Sequence, residues 1–437
     1  MAKSTAPVLP FPRCQRRHGQ AEFTGGDITS DGGVLLLRQV DKRLGLLAAV
    51  DRVLLDPRDP RLIAHSQLSL LRQRVYGLCL GDEDLNDHPT LRTDVALQTA
   101  LERTAMLASA ATLCRLDNRA DRQVMWRLHE VLVEQFIASF DTPPPELILD
   151  VDATDDPVHG RQEQRFFHGY YDHYCFLPLY VFCGDQLLVS YLRPSNIDGA
   201  KHAWAILALL VKRLRHAWPQ VRLILRADSG FCRWRMLSWC ERHGVHYLIG
   251  LAKNARLNRL AEPYLAPAAP AFADTAQAQR CFAEIEYGAE SWDRSRRVLI
   301  KAEHPAQGAN PRYVVTTLSG DPQPRYERVY CQRGEMENRI KEQQLDLFAD
   351  RTSCHRWWPN QFRLLLASWG YVLLEAIRRL GLVGTILAQA QVGTLRLKLL
   401  KIGAVILRNT RRVRFLLSSA YPYQALFRQV VERLASG

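Results

Sequence analysis

The sequence lacks the cysteine patterns of a zinc finger or a disulfide-stabilised scaffold. Its ten cysteines include no CxxC pair and no cluster with histidine at metal-binding spacing. We therefore expect free thiols, most of them buried. Wholesale disorder is excluded as well, because 47% of the 437 residues are hydrophobic and only 24% are charged. The chain is long enough for roughly two to four domains.

Long apolar segments are also missing. The longest run, 364–374, lies between Arg363 and Glu375 and is far shorter than the roughly 20 residues of a membrane-spanning helix. The start of the chain contains basic residues and prolines but no apolar core of a signal peptide. We therefore expect a cytoplasmic protein that does not insert into a membrane.

Acidic residues are in short supply. The sequence has 45 of them against 58 basic residues, which gives a net charge of +13 and a pI of about 9.4. This surplus indicates a polyanionic partner, either nucleic acid or an anionic membrane surface. From residue 376 onward there are eleven basic residues and a single acid, a surplus of ten. Interleaved apolar residues predict a helical basic tail, with a solvated basic face as the alternative.

The hydrophobic pattern changes along the chain. Residues 1–145 have mainly helical periodicity, which ends at the prolines of 142–145. Three strand-like runs follow at 147–152, 175–183 and 186–193, and helix and strand then alternate as far as residue 251. A meander of three strands followed by alternating helices and strands predicts a mixed α/β sheet, and the ribonuclease-H-like fold has this order.

After residue 254 the alternation stops and more strand-like runs appear, which predicts a β-rich insertion that interrupts the sheet. The predicted regions are a helical N-terminal region (1–145), a core in two parts (146–254 and 326–380), the β-rich insertion (255–325) and the basic helical tail (381–437).

Two groups of acids follow neighbouring strands of the predicted sheet. Asp150 and Asp152 lie two residues apart, so their carboxylates project from one face of the first strand. Asp228 comes directly after the fourth strand, at an edge where catalytic groups are common. Converging carboxylates imply either a bound cation such as Mg²⁺ or a shared proton. Turn and helix-capping roles are the alternative for each aspartate alone.

A third acid lies on a predicted helix. Arg333, Glu337, Lys341 and Gln344 are spaced so that they share one helix face, next to an apolar stripe. The helix can therefore pack by its apolar side and present Glu337 to a site. The alternative is a surface helix with a weak Glu–Lys pair.

Three phrases carry a resemblance to a known family: LDVDATDDPVHG, LRADSGF and the pattern Y-x2-R-x3-E of Tyr330, Arg333 and Glu337. Together they resemble the DDE transposases of bacterial insertion sequences, in the cut-and-paste group with a YREK signature. The sequence is most similar to insertion-sequence family 1380, whose phrases TSDGGVLLLRQVD, GDEDLNDHPTLRTD and HGYYDHYCFLPLYVF are also similar, so the resemblance covers nearly the whole chain.

The resemblance implies which acids are catalytic. The family's first acid stands in an Asp-x-Thr phrase, which selects Asp152, and its second and third acids correspond to Asp228 and Glu337. These three residues are then the ligands of two Mg²⁺ ions, for which Mn²⁺ can substitute. The signature calls for a lysine where this sequence has Gln344, and Lys341, one turn earlier, is a candidate replacement.

The resemblance also implies partners and a reaction. The protein is expected to bind the terminal inverted repeats of its element and target DNA as a homodimer, to cut and join strands, and to form a hairpin intermediate. It is expected to be bacterial and nucleoid-associated, with 1–145 recognising the repeats. The candidates for DNA contact are Tyr330, Arg333 and Lys341 at the site, Trp292 for stacking on a flipped base, and Arg411, Arg412 and Arg414 in the tail. A core role is the alternative for Trp292.

Two other functions fit the same residues. One is a metal-dependent DNA nuclease of the same fold that never joins strands, and the other is a non-catalytic DNA-binding repressor derived from a transposase. The presence of all three acids argues against the repressor.

Overall fold

The computed structural model describes residues 7–436 apart from 268–269, 271, 273–276 and 307, all but the terminal gaps lying in the predicted insertion. The chain divides into two compact units. Unit 1 consists of Met1–Arg119 and Trp369–Gly437, and unit 2 is Ala120–Ser368. In the described residues no helix is both long enough and apolar enough to cross a membrane.

The secondary structure comprises strands and helices that are numbered here in chain order. The strands are β1 (Leu9–Cys14), β2 (Arg17–Ala21), β3 (Ile28–Thr29), β4 (Glu146–Ala153), β5 (Asp156–Pro157), β6 (Phe166–His168), β7 (His173–Phe176), β8 (Leu179–Cys183), β9 (Gln186–Tyr191), β10 (Arg222–Ala227), β11 (His246–Leu251), β12 (Gln279–Tyr287), β13 (Arg296–His304), β14 (Arg312–Thr316), β15 (Ala404–Arg408) and β16 (Val413–Leu417). The helices are α1 (Val34–Leu44), α2 (Leu46–Val53), α3 (Gln67–Leu80), α4 (His88–Leu91), α5 (Val95–Ala100), α6 (Ala110–Asp117), α7 (Arg122–Ala138), α8 (Ala203–Ala217), α9 (Trp234–Arg242), α10 (Ala255–Leu265), α11 (Pro322–Pro324), α12 (Gly334–Lys341), α13 (Trp357–Ala376), α14 (Val392–Leu395) and α15 (Gln424–Ala435).

Unit 2 is built on an eight-stranded sheet of order β12-β13-β14-β11-β10-β4-β8-β9. Strands β4, β10 and β11 are parallel to one another, and the remaining neighbours are antiparallel. The register of β4 and β10 pairs Asp150 with Arg226 and Val151 with Ala227, so the two strands end at the same level. This mixed sheet confirms the predicted α/β class.

Side chains of successive strand residues enter two different cores, as the period of two requires. On β10, Leu223 and Leu225 join the large core that contains side chains of α7, α8, α9 and α10. Ile224 points to the other face and packs in a smaller core with Leu318 and Tyr326. Helices therefore cover one face, and the segment that begins at α11 covers the other.

That segment is continuously helical but changes its hydrogen-bonding pattern. After α11 come a π-helical turn (Arg325–Tyr330) and a 3₁₀ turn (Cys331–Arg333), then α12 and a second π-helical turn (Glu342–Asp346). π-Helical turns are rare and often occur at functional sites. Here they flank the helix that carries Glu337.

Unit 1 holds α1 to α6, and its strand β15 pairs with both β3 and β16. The hairpin of β15 and β16 corrects the prediction of a helical tail. Its strands alternate in exposure and its turn is closed by Asn409, whose side chain accepts hydrogen bonds from the backbone of Arg411 and Arg412 at 3.0 and 2.8 Å. The predicted helical N-terminal region likewise begins with strands, β1 to β3.

Two further expectations are refined. Strands β12 to β14 of the predicted insertion do not form a separate sheet, because β14 pairs with β11 and extends the central sheet. All ten cysteines are free, as expected, but four of them are exposed, so fewer are buried than predicted.

Candidate active site

The first two predicted acids meet at the edge where β4 and β10 end. Asp152 lies near the end of β4, and Asp228 follows β10 directly, one residue beyond the pair of Val151 and Ala227. The Asp228 carboxylate also begins the 3₁₀ turn that follows, since its Oδ1 accepts a hydrogen bond from the Gly230 amide at 2.9 Å. Strand register therefore brings the two carboxylates to one level.

Arg333 connects the first acid to the third. Its Nη1 donates to Asp152 Oδ2 at 3.0 Å, and its Nη2 donates to Glu337 Oε1 at 2.6 Å. The Asp152 side chain is only 13% exposed, whereas that of Glu337 is 47% exposed. The guanidinium thus bridges a sheltered carboxylate on the sheet and an open one on α12.

The charges of the other two acids act on Asp152. The pKa of Asp152 is raised to about 6, mainly by burial and also by the charges of Asp228 and Glu337, although the charge of Arg333 lowers it. The three predicted acids are therefore close enough to interact. Within the described ranges, however, no three side chains of His, Cys, Asp or Glu surround one point as ligands of a single ion.

Tyr330 is packed against the same edge. A Cβ added to Gly250 of β11 would lie 2.6 Å from the Tyr330 hydroxyl oxygen and 2.9 Å from the Ser229 backbone nitrogen, so the glycine makes room for both. Burial raises the pKa of Tyr330, and the charges of Arg333 and Asp228 also act on its hydroxyl. Tyr330 therefore lies beside Asp228.

A buried ion pair lies directly behind the acids. Arg226 Nη2 donates to Asp150 Oδ2 at 2.7 Å, and Arg226 Nη1 donates to the Val329 carbonyl. Both charged side chains are almost completely buried, with 6% and 3% exposure. The pair joins β4 and β10 to the turn that carries Tyr330. An arginine in the apolar strand sequence LILRA was the signal for it in the sequence.

The two candidates for the missing signature lysine have different surroundings. Gln344 Nε2 donates to the Asp155 carbonyl at 2.8 Å, which fixes the second π-helical turn to the chain just beyond β4. Lys341 is exposed at the end of α12, one turn after Glu337.

The segment HGYYDHY adds side chains that the sequence did not single out. His173 Nε2 lies 2.8 Å from Asp155 Oδ2. Burial raises the pKa of Tyr171 to about 12, with contributions from the charges of Asp155 and Asp152. These aromatic side chains therefore stand next to the first acid.

The remaining predicted residues lie elsewhere. Trp292, in the turn between β12 and β13, is half-buried, with its ring centroid 5.7 Å from that of Tyr287 and the Arg296 guanidinium 5.3 Å from its own centroid. The three predicted tail arginines belong to unit 1 and are exposed on the turn and second strand of the β15–β16 hairpin: Arg411, Arg412 and Arg414.

Comparison with known proteins gives a family. The family model described as transposase DDE domain group 1 matches residues 11–436. One similar solved structure is the cryo-EM structure of the piggyBac transposase synaptic complex with hairpin DNA, with a TM-score of 0.38 and 11% identity, covering 85% of this chain and 78% of that chain. No curated protein matches the chain. The family match spans almost the whole sequence, and the chain therefore belongs to the transposase DDE domain group 1 family.

Proposed function

We propose that this DNA transposase cuts DNA at the terminal inverted repeats of a bacterial insertion sequence and joins the freed ends to target DNA. The observation that carries the proposal is the meeting of Asp152 with Asp228 and, through Arg333, with Glu337. The strand order β9-β8-β4-β10-β11, with an antiparallel meander followed by parallel strands, supports a ribonuclease-H-like core.

The donor chemistry of this edge fits divalent cations. Mg²⁺ prefers oxygen ligands and needs only one or two carboxylates, because it keeps several waters. Asp152 and Glu337 already stabilise one cationic group, the Arg333 guanidinium. We therefore propose Asp152, Asp228 and Glu337 as the residues that hold two Mg²⁺ ions, or Mn²⁺ in their place. When bound, the ions would activate the attacking hydroxyl and stabilise the leaving oxygen.

The protein's own groups would position the DNA. A guanidinium that pairs with carboxylates also pairs with phosphate, so Arg333 can exchange Asp152 or Glu337 for a phosphate near the cut. Tyr330 beside Asp228, and exposed Lys341 one turn beyond Glu337, are the other candidates for phosphate contact. The pair of Asp150 and Arg226 keeps the two strands and the Tyr330 turn in register.

We extend three more steps from the resemblance to insertion-sequence family 1380 and the YREK group. The freed 3′-hydroxyl would attack the opposite strand to give a hairpin. Two copies would act on the two ends of the element, with 1–145 reading the repeats. The tail arginines Arg411, Arg412 and Arg414 would bind phosphates without sequence preference.

Purified protein, Mg²⁺ and a labelled duplex carrying one end of the element test the proposal. Nicks, hairpins and strand-transfer products are expected. Cleavage without joining would instead indicate a nuclease, and binding without cleavage a repressor.

Asp152→Asn, Asp228→Asn and Glu337→Gln should each abolish cleavage and preserve DNA binding, whereas Asp141→Asn, at an exposed acid of unit 2, should cut normally. A Glu337→Gln variant that still cuts would remove that residue from the site.

A further inference from the structure

A groove rich in tryptophan and arginine lies in unit 2, outside the acidic site. It has a volume of about 620 Å³ and runs between the first turn of α8, helix α9 and the turn that joins β12 to β13. Its volume is in the range of about 300–1,000 Å³ found for small-molecule sites. Six of its side chains matter for what it binds: Trp204, Trp234, Trp239, Arg235, Arg242 and Arg294.

Two of the tryptophans are exposed. Trp204 on α8 is 53% exposed and Trp234 on α9 is 39% exposed, while Trp239 is 9% exposed and stacks on His243 with a centroid distance of 4.5 Å. Large aromatic side chains usually bury their rings, so two open rings beside one groove indicate a partner with flat, apolar faces. Trp234 has one neighbour against its ring, the Arg235 guanidinium, whereas the half-buried Trp292 has both Tyr287 and Arg296 against its ring.

The groove is also positively charged. Its carboxylates, Glu241 and Asp293, are both held by the buried Arg296, at 2.8 and 2.7 Å. Arg294 is 58% exposed and binds Glu241 as well, and the guanidinium of Arg235 lies 5.5 Å from the Trp234 ring centroid. With Arg242, three arginines line the groove against two carboxylates, and both carboxylates are already paired with Arg296 behind them. A partner that combines flat rings with negative charge matches this surface.

The groove begins near the acidic edge. Helix α9 starts six residues after Asp228, and the intervening Arg233 forms an ion pair with Asp198 at 2.6 Å, in the loop that leads to α8. Because α8 precedes β10 and runs back along the sheet, the first turns of both helices lie at the edge where β4 and β10 end. A strand held at the acids could therefore continue into the groove.

We propose that this groove binds unpaired nucleotides of a DNA strand, with bases stacked on Trp204 and Trp234 and phosphates paired with Arg235, Arg242 and Arg294. The inference rests on the proposed function for its DNA substrate. Stacking on aromatic rings with arginine contacts to the backbone is how single strands are bound without sequence preference.

Fluorescence anisotropy with a short labelled oligothymidine, in EDTA to prevent cleavage, tests the groove. Trp204→Ala with Trp234→Ala should weaken binding roughly 10- to 100-fold, since stacking on each ring contributes several-fold or more. Replacing both by Phe should restore most of the affinity. The matched control is Trp126→Ala on α7, a tryptophan 46% exposed elsewhere in unit 2, which should bind as wild type. Circular dichroism melts establish that each variant is folded.

The outcomes separate this inference from the proposed function. The proposed role of the groove is wrong if the double alanine variant binds the oligothymidine with unchanged affinity, or if Trp126→Ala loses as much affinity. Either result would count even if the protein transposes DNA. If the wild type binds the oligonucleotide through Trp204 and Trp234 but never cuts duplex ends, nucleotide binding by the groove is supported and the proposed function is wrong.

Discussion

The proposed chemistry needs Asp152 to be ionised, but an ionised Asp152 lowers the stability of the fold. Burial, together with the charges of Asp228 and Glu337, raises its pKa to about 6 despite the opposing charge of Arg333, so an ionised Asp152 is unfavourable at pH 7. Asp152→Asn is therefore expected to increase the free energy of unfolding by about 1–3 kcal/mol while it removes cleavage. Urea unfolding of metal-free protein at pH 7 measures the change.

Asp150→Asn is the matched control, two residues earlier on the same face of β4. It leaves the buried Arg226 without its carboxylate, and breaking a buried ion pair in this way costs about 3–5 kcal/mol. Burial raises the pKa of Asp150 as well, but only the loss of Asp150 leaves an almost completely buried guanidinium without a carboxylate, so the two variants should change the free energy of unfolding in opposite directions. Equal destabilisation by both would contradict the unfavourable charge that we assign to Asp152.

The same pKa makes the advantage of Asp152→Asn depend on pH. Between about pH 4 and pH 6 the folded wild type binds a proton at Asp152 that the unfolded chain, with an ordinary aspartate pKa of 3.8, does not bind. Wild-type stability at this group therefore rises as the pH falls through 6. The advantage of the variant should be largest above pH 6 and should vanish near pH 4. A difference that stays constant from pH 7 to pH 4 would show that Asp152 does not titrate in this range.

At this scale the sequence predicted the acids better than their partners. The Asp-x-Thr phrase of the family resemblance and the ends of two predicted strands singled out Asp152 and Asp228, because each strand is recognisable from its own apolar run. The bridge from Arg333 to Asp152 joins residues 181 positions apart, and the pair of Arg226 and Asp150 joins residues 76 apart. No local pattern encodes such distant contacts.

At the scale of elements, β11 and the π-helical turn that carries Tyr330 approach each other only because residue 250 has no side chain. Gly250→Ala would place a Cβ 2.6 Å from the Tyr330 hydroxyl and 2.9 Å from the Ser229 amide, so the backbone after Asp228 must shift. We expect a loss of about 1–3 kcal/mol in stability and a larger loss of cleavage, measured by urea unfolding and by end nicking. Gly199→Ala, whose Cβ meets nothing within 4 Å among the described residues, should change neither. Normal cleavage by Gly250→Ala would mean that this close packing does not position Asp228.

The β15–β16 hairpin exposes three arginines on a framework that does not depend on their side chains. Replacing Arg411, Arg412 and Arg414 by alanine should therefore leave the fold intact and remove up to three phosphate contacts. The slope of log affinity against log salt for duplex DNA should then fall by about 2–3, since each contact contributes about 0.9. Arg61→Ala, an 87% exposed arginine whose charge is paired with Asp59, is the control and should leave the slope unchanged. A triple variant with the wild-type slope would exclude the hairpin from DNA binding.

The local hydrophobic pattern predicted most strands of the central sheet, but it did not predict the two strands of the tail. Strands β4 and β9 lie within two residues of the runs 147–152 and 186–193 that their apolar pattern predicted. In the tail, leucine and arginine interleave at spacings that suit either a helix or a strand. In the structure β15 pairs with β16 across the Asn409 turn and also with β3, about 375 residues away, and this second pairing lies beyond any local window.

At the scale of the whole molecule, the two units differ in net charge. Unit 2 has 31 basic and 29 acidic residues, while unit 1 has 27 basic and 16 acidic residues. The general surplus of basic residues in the sequence is therefore concentrated in the unit that does not contain the predicted acids.

The family match confirms the predicted DDE transposase, whereas insertion-sequence family 1380 stays a prediction.

This division predicts how the fragment 120–368 would behave on its own. It contains the whole eight-stranded sheet and its cores, so it should unfold cooperatively in a circular dichroism melt. Its net charge is close to zero, so its affinity for duplex DNA should be weak and should depend much less on salt than that of the full chain. It should still bind the oligothymidine, because Trp204, Trp234 and their arginines all lie within it. A folded fragment with the salt slope of the full chain would place the duplex contacts in unit 2, and a fragment without a cooperative transition would show that unit 2 needs the basic segments to fold.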